Sequence, residues 1–153
     1  MTQHHFSFDS PVGPLTVTEQ DGALVALDWH TQPNGEASPL LAEARRQLDA
    51  YFAARLTTFD LPVAPNGTPH QQKVWRAMLE IPFGGHKTYG ALSAAIGSSA
   101  RAVGTACGRN PIPIIIPCHR VLAAGGKIGG YSGNGGTATK RYLLSLEGVA
   151  LNE

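Results

Sequence analysis

A cysteine, a histidine and an arginine stand side by side at Cys118-His119-Arg120, between Pro117 and Val121. A cysteine is a strong nucleophile as the thiolate, and neighbouring cationic or basic groups promote that form. His119 could take the proton, Arg120 could favour the anion, and Glu147 lies far downstream, where a fold could bring it to the histidine. That would be a cysteine-histidine-acid relay. On an extended segment adjacent side chains point to opposite faces, which favours a turn or a bridging water over direct contact between His119 and the thiol. The pair taken alone leaves a second reading open, a small buried thiol beside a satisfied histidine.

Other residues that could do chemistry point elsewhere. Cys107 is the other of 2 cysteines, and with no Cys-x-x-Cys and no Cys/His ligand spacing the chain is expected to keep reduced thiols and to hold no metal. Cys107 itself, between Ala106 and Gly108, reads as a small core residue. His4, His5, His30, His70 and His86 show no ligand spacing. Seven glycines between Gly125 and Gly136 mark a loop, and without a Gly-Lys-Ser/Thr ending it is no phosphate-binding loop.

Charge is unevenly placed. Residues 1–83 carry five Lys/Arg against nine Asp/Glu, whereas residues 84–153 carry seven (Lys87, Arg101, Arg109, Arg120, Lys127, Lys140, Arg141) against two. The C-terminal half is therefore the half that could meet a phosphate backbone, although chance clustering would give the same pattern. A start without a basic-then-apolar leader and the lack of eighteen consecutive apolar residues predict a cytoplasmic protein with no membrane association. A monomer is expected.

The elements that must position Cys118 follow from local pattern. Phe6-Ser7-Phe8, Leu15 to Thr18 and Leu24 to Trp29 are short β-type runs, and Asp21-Gly22 is a hairpin signal, so a small antiparallel sheet is expected. Residues 31–38 read as a loop. Ser38-Pro39 opens a helix whose apolar face is Leu41, Ala44, Leu48, Tyr51 and Phe52. Residues 57–67 are irregular and mark the lobe boundary. Thr68, Pro69 and Gln71 form a capping box before Val74, Trp75 and Met78. Thr88 to Ile96 and a helix capped by Ser98 or Ser99 and running to about Gly108, joined through Gly97, make a helix-turn-helix pattern, or an ordinary helical hairpin. Three prolines exclude a helix from Pro111 to Pro117, and Ile114 to Ile116 suit a buried strand. A last helix runs from about Thr137 to Glu147 with Tyr142, Leu143 and Leu146 inward. The fold class expected is α+β, with an N-terminal lobe over residues 1–65, a small antiparallel sheet plus a helix, and a mainly helical C-terminal domain over residues 66–153 holding the helix-turn-helix and the cysteine.

The run Asn110-Pro111-Ile112-Pro113-Ile114-Ile115-Ile116-Pro117-Cys118-His119-Arg120-Val121 resembles the signature of the O6-alkylguanine-DNA alkyltransferases, the methylated-DNA–protein-cysteine methyltransferases. Collinear segments extend the likeness over nearly the whole chain, among them Ser10 to Leu15, Gln47 to Phe52, Gln72 to Trp75, Thr88-Tyr89-Gly90, Arg101 to Gly104, Gly129 to Gly133 and Leu146-Glu147-Gly148. The resemblance implies that Cys118 attacks as thiolate, that His119 acts as base through water, that Glu147 orients the histidine, and that Asn110 supports the turn before the active-site segment. It implies that Tyr89 and the backbone near Cys118 and Ser132 stabilise the leaving guanine, and that Pro113, Val121, Tyr131 and Ser132 shape the pocket, with the glycine loop as its flexible wall. Some relatives hold a structural zinc in the N-terminal lobe, but this lobe has no cysteine.

The second helix of the motif presents Ala100, Ala102, Gly104 and Ala106, small residues with little to read a major groove. They suit the minor groove, about 6 Å wide, or tight helix packing. The resemblance favours the minor groove of double-stranded DNA carrying O6-alkylguanine, with Thr88 and Tyr89 at the contact and Arg101 filling the stack when the damaged base rotates out. The implied transfer of the alkyl group to sulfur is expected to be irreversible and single-turnover, with no cofactor, because the substrate supplies the group and the thiolate receives it. Two rivals use fewer of these residues: a non-catalytic helix-turn-helix DNA-binding protein, which would leave Cys118 idle, and a Cys-His hydrolase, which would turn over.

Overall fold

The computed structural model describes residues 3–33, 35, 37–131 and 133–151. The chain divides into two compact units, Met1–Asn66 and Gly67–Glu153.

In the first unit, β1 (Gln3–Phe8), β2 (Leu15–Gln20) and β3 (Ala23–Asp28) form an antiparallel sheet in the order β1-β2-β3. Asp21 and Gly22, at φ 53° and 83°, both adopt the left-handed conformation that lets a two-residue turn follow the twist of its strands. The sheet buries Phe8, Leu15, Val17, Leu24 and Leu27, and α1 (Pro39–Phe52) packs its stripe of Leu41, Ala44, Leu48 and Tyr51 against it. Ser38 caps α1 by accepting from Leu41 N. The stretch after α1 is less irregular than its prolines suggest. Leu24 N–H donates to Pro62 O and Ala64 N–H to Leu24 O, both at 2.8 Å, so residues around Val63 add a bridge to the sheet. The buried Gln47 exchanges hydrogen bonds with the Asp60 backbone and tethers the same stretch.

In the second unit, α2 (Pro69–Leu79) begins with the reciprocal capping box of Thr68 and Gln71. A two-residue strand, β4 (Lys87–Thr88), leads into α3 (Tyr89–Ile96), and Gly97 at φ 68° turns the chain into α4 (Ala100–Gly108), which Ser99 caps. The Trp75 indole N–H donates to Ala106 O at 2.9 Å and locks α2 to α4. Gly67 has to be glycine, since a Cβ there would fall 2.5 Å from the Trp75 ring. β5 (Val121–Leu122) pairs in parallel with β4, and α5 (Thr137–Leu146) closes the unit.

Two expectations are corrected. Residues Ile114 to Ile116 are buried but form no strand: the segment doubles back, with Ile114 at φ 73° and an isolated bridge between Pro113 and Ile116. Prolines remove the N–H groups a strand ladder needs, and the Asn110 side chain supplies what a partner strand would. Its amide donates to Ile116 O at 2.8 Å and its oxygen accepts from Ile112 N at 3.0 Å. On α5 the inward stripe is Lys140, Leu143, Leu144 and Glu147, while Tyr142 is exposed and Leu146 only half-buried. The stripe keeps helical spacing but contains two charged residues, so an apolar count alone misplaces it.

Because Asn110 satisfies two backbone groups inside the unit, Asn110→Ala is expected to lower stability by about 2–4 kcal/mol. Thr68→Ala, which opens an exposed cap, should cost about 1 kcal/mol. Urea unfolding of both variants checks the order, and equal losses would contradict the role given to Asn110.

Candidate active site

Cys118 opens a 3-10 turn, Cys118–Arg120, held by Cys118 N–H to Ile116 O at 2.8 Å and Arg120 N–H to Pro117 O at 3.0 Å. With three residues per turn, successive side chains diverge by about 120°. The sequence triplet therefore fans out instead of alternating. Cys118 is on the wall of a cavity of about 330 Å³ lined by Tyr89, Gly104, Cys107, Gly108, Gly130 and Tyr131, a volume within the range of small-molecule pockets.

His119 and Arg120 turn into the protein, where both meet Glu147 at the end of α5. His119 Nε2 lies 2.6 Å from Glu147 Oε2, and both side chains are fully buried. Arg120 Nε donates to Glu147 Oε1 at 2.7 Å, its Nη2 to Oε2 at 3.1 Å, and its Nη1 to Ile81 O at 2.6 Å. A carboxylate only accepts, so the ring proton sits on Nε2 and Nδ1 keeps its lone pair. Among the described residues Nδ1 has no hydrogen-bond partner. Burial holds the His119 pKa below its ordinary value, partly offset by Glu147. The imidazole is a neutral base.

Burial also raises the Cys118 thiol, against smaller opposing effects from Asn110, Lys140 and Tyr131. At rest it is a thiol and not the standing thiolate that adjacent cations suggested. Arg120 does not supply that stabilising charge, because Glu147 engages it; the nearby cation is Lys140. Its ammonium donates to Val121 O at 2.7 Å and Gly130 O at 3.1 Å and sits 5.8 Å from the Tyr89 ring centroid. Burial brings the Lys140 pKa down to about 8. The Tyr89 hydroxyl is pushed up to about 12, chiefly by burial.

Of the residues singled out in the sequence, Cys118, Tyr89, Tyr131 and Gly104 meet at the cavity, with His119 and Glu147 paired inside the protein and Asn110 bracing the loop. Pro113 and Val121 are buried and are not among the lining residues. Ser132 lies outside the described residues. Thr88 caps α3 by accepting from Ala91 N. Ala100 and Arg101 are exposed on α4, Ala102 and Gly104 half-buried. Of the seven C-terminal cations, Arg120 and Lys140 are buried and cannot meet a phosphate backbone, while Lys87, Arg101, Arg109, Lys127 and Arg141 are exposed. Sequence reasoning missed Lys140 as a buried cation and Cys107 as a cavity residue. The spacing of Lys140 and Glu147 with Leu143 and Leu144 on one helical face was the available signal. Among the described residues no helix is long and apolar enough to cross a membrane.

Two family models match the chain: the 6-O-methylguanine DNA methyltransferase ribonuclease-like domain over residues 4–65 and the DNA binding domain of the same family over residues 69–149. The chain is 43% identical to a methylated-DNA–protein-cysteine methyltransferase of Methanosarcina acetivorans, over 92% of this chain and 96% of that protein. It is 39% identical to the constitutive methyltransferase of that name from Bacillus subtilis, over 98% of each. The crystal structure of Mycobacterium tuberculosis OGT in complex with DNA superposes with a TM-score of 0.84 at 45% identity, covering 94% of this chain and 92% of that one. With two domain models filling almost its whole length, this chain belongs to the 6-O-methylguanine DNA methyltransferase family, enzymes that repair DNA by moving a methyl group onto a cysteine of their own.

Proposed function

We propose that Cys118 is the acceptor sulfur, that the cavity before it receives an O6-alkylguanine rotated out of double-stranded DNA, and that residues 66–153 carry both DNA contact and chemistry. The observation that carries this reading is a cavity with the Cys118 sulfur on its wall, the next residue in the chain being a histidine anchored on a buried acid.

The reaction runs in one displacement. His119 Nδ1 draws the thiol proton through solvent, the sulfur attacks the alkyl carbon in line, and the carbon–O6 bond breaks with its electrons passing to the guanine, which takes up a proton. The products are S-alkylcysteine and unmodified guanine. Because the thioether resists thiol exchange, the protein acts once. The Lys140 ammonium supports the developing thiolate, and Tyr89, which holds its proton, donates to the departing base. Tyr131 and Gly130, from the glycine loop, wall the site.

The exposed Arg101 on α4 would occupy the stack behind the rotated base, with Thr88, Ala100, Ala102 and Gly104 along a minor-groove contact. Small side chains there permit close approach without demanding sequence. The likeness to a relative solved with DNA supports this contact. The protein would act as a monomer in the cytoplasm, on the nucleoid.

Intact mass after mixing with a duplex containing O6-methylguanine should show one added methyl on the Cys118 peptide and none in Cys118→Ser; an unmodified Cys118 with the duplex in excess would sink the reading. His119→Ala should slow transfer by about 10²–10⁴ in single-turnover assays.

The pH profile carries a sign. A base works deprotonated, and the His119 pKa lies below 6.5, so the rate should not fall with His119 protonation until pH is below about 6.5. Glu147→Gln removes the carboxylate that raises that pKa, so its acid limb should move to lower pH while its plateau drops. An acid limb that moves upward in Glu147→Gln would contradict the relay.

A further inference from the structure

Cys107 has no part in the reaction above, yet it lines the same cavity as Cys118. Its Sγ lies 3.5 Å from Met78 Sδ, where α4 meets α2. The two cysteines are 6% and 5% exposed, and both sit on the wall of that one cavity. The buried Lys140 acts on both sulfurs. One small cavity thus gathers two thiols, with a thioether beside one of them and an ammonium at hand, and no carboxylate or imidazole is among its described lining residues.

We propose that Cys107 and Cys118 chelate a single thiophilic d10 cation of the copper(I) class, with Met78 as a third sulfur beside Cys107. Polarizable sulfur donors select such ions over hard cations such as magnesium or calcium. Each sulfur–metal bond forms as its thiol releases a proton, so one copper(I) gives a bis-thiolate complex with one net negative charge and two protons to solvent. The Lys140 ammonium is the counter-charge. The high pKa of the two free thiols makes binding steeper with pH but does not prevent it, because a metal-bound thiol is deprotonated outright. The ion occupies the sulfur assigned to alkyl transfer, so loaded protein is blocked until a chelator removes the metal. The site itself needs no DNA and stands whether or not Cys118 accepts alkyl groups.

The test is an anaerobic titration of the full chain with copper(I) against a competing chromogenic chelator, reading affinity, stoichiometry and proton release. One ion per chain and two protons per ion are expected. Cys107→Ser and Cys118→Ser should each weaken binding by about 10²–10⁴, since each loses the preorganised second ligand. Circular dichroism confirms that the serine variants are folded, and the proton count on the unaltered protein stands independently of them. Wild-type affinity in Cys107→Ser, two ions per chain, or one proton per ion would each overturn the proposal.

Discussion

Glu147 is a carboxylate with no exposed surface, and the rest of the site depends on how its charge is balanced. An isolated buried carboxylate would be too costly to remain ionised. Arg120 meets it through two hydrogen bonds and closes the pair to net neutrality. That leaves His119 free of the need to be the counter-ion. It can bind Glu147 through Nε2 while staying neutral, as the burial that lowers its pKa requires. With Nε2 spent on the acid, the basic nitrogen is Nδ1. The arginine therefore has a part that its position next to Cys118 conceals: it neutralises the acid so that the histidine can stay neutral.

Cys118 illustrates the opposite problem. Burial raises its pKa, so the sulfur rests as a thiol. Storage of this kind suits a protein that can react only once, because a standing thiolate would be exposed to any electrophile that reached it. On the proposed assignment of Cys118 as acceptor, deprotonation belongs to the event that brings substrate in, with Lys140 as the nearby positive charge. The 3-10 turn makes these separate environments possible. Three consecutive residues face a cavity, an acid and a carbonyl because the backbone rotates about a third of a turn at each step.

How much of this was legible in the sequence depended on whether a feature was local. Thr68 with Gln71, Ser38 with Pro39, and Asp21-Gly22 state their own structures, because caps and tight turns are decided by the residues that form them. Cys118, His119 and Glu147 stood out by residue type, and the fold pairs His119 with Glu147 and sets Cys118 on a cavity wall. The run from Ile114 to Ile116 was misread because apolarity reports burial and not backbone path; its path is set by prolines and by one asparagine several residues away. Lys140 was counted with the surface cations for a related reason. A lysine is assigned to water by default, and nothing nearby in sequence announces that the carbonyls of Val121 and Gly130 will hold its ammonium.

Moving Lys140 and Arg120 inside changes what the charge asymmetry means. The cations that remain on the surface of the second unit are Lys87, Arg101, Arg109, Lys127 and Arg141. Two charges that inflated the case for phosphate contact are instead spent inside the unit, one neutralising Glu147 and the other donating to the carbonyls of Val121 and Gly130. The basic half of the chain is therefore two populations with different physics. Surface cations act through a screened field that weakens with salt, and buried ones act at short range in a low dielectric that salt hardly reaches. Binding of DNA and transfer of the alkyl group should accordingly respond to ionic strength to different degrees, the first strongly and the second little once the duplex is in place.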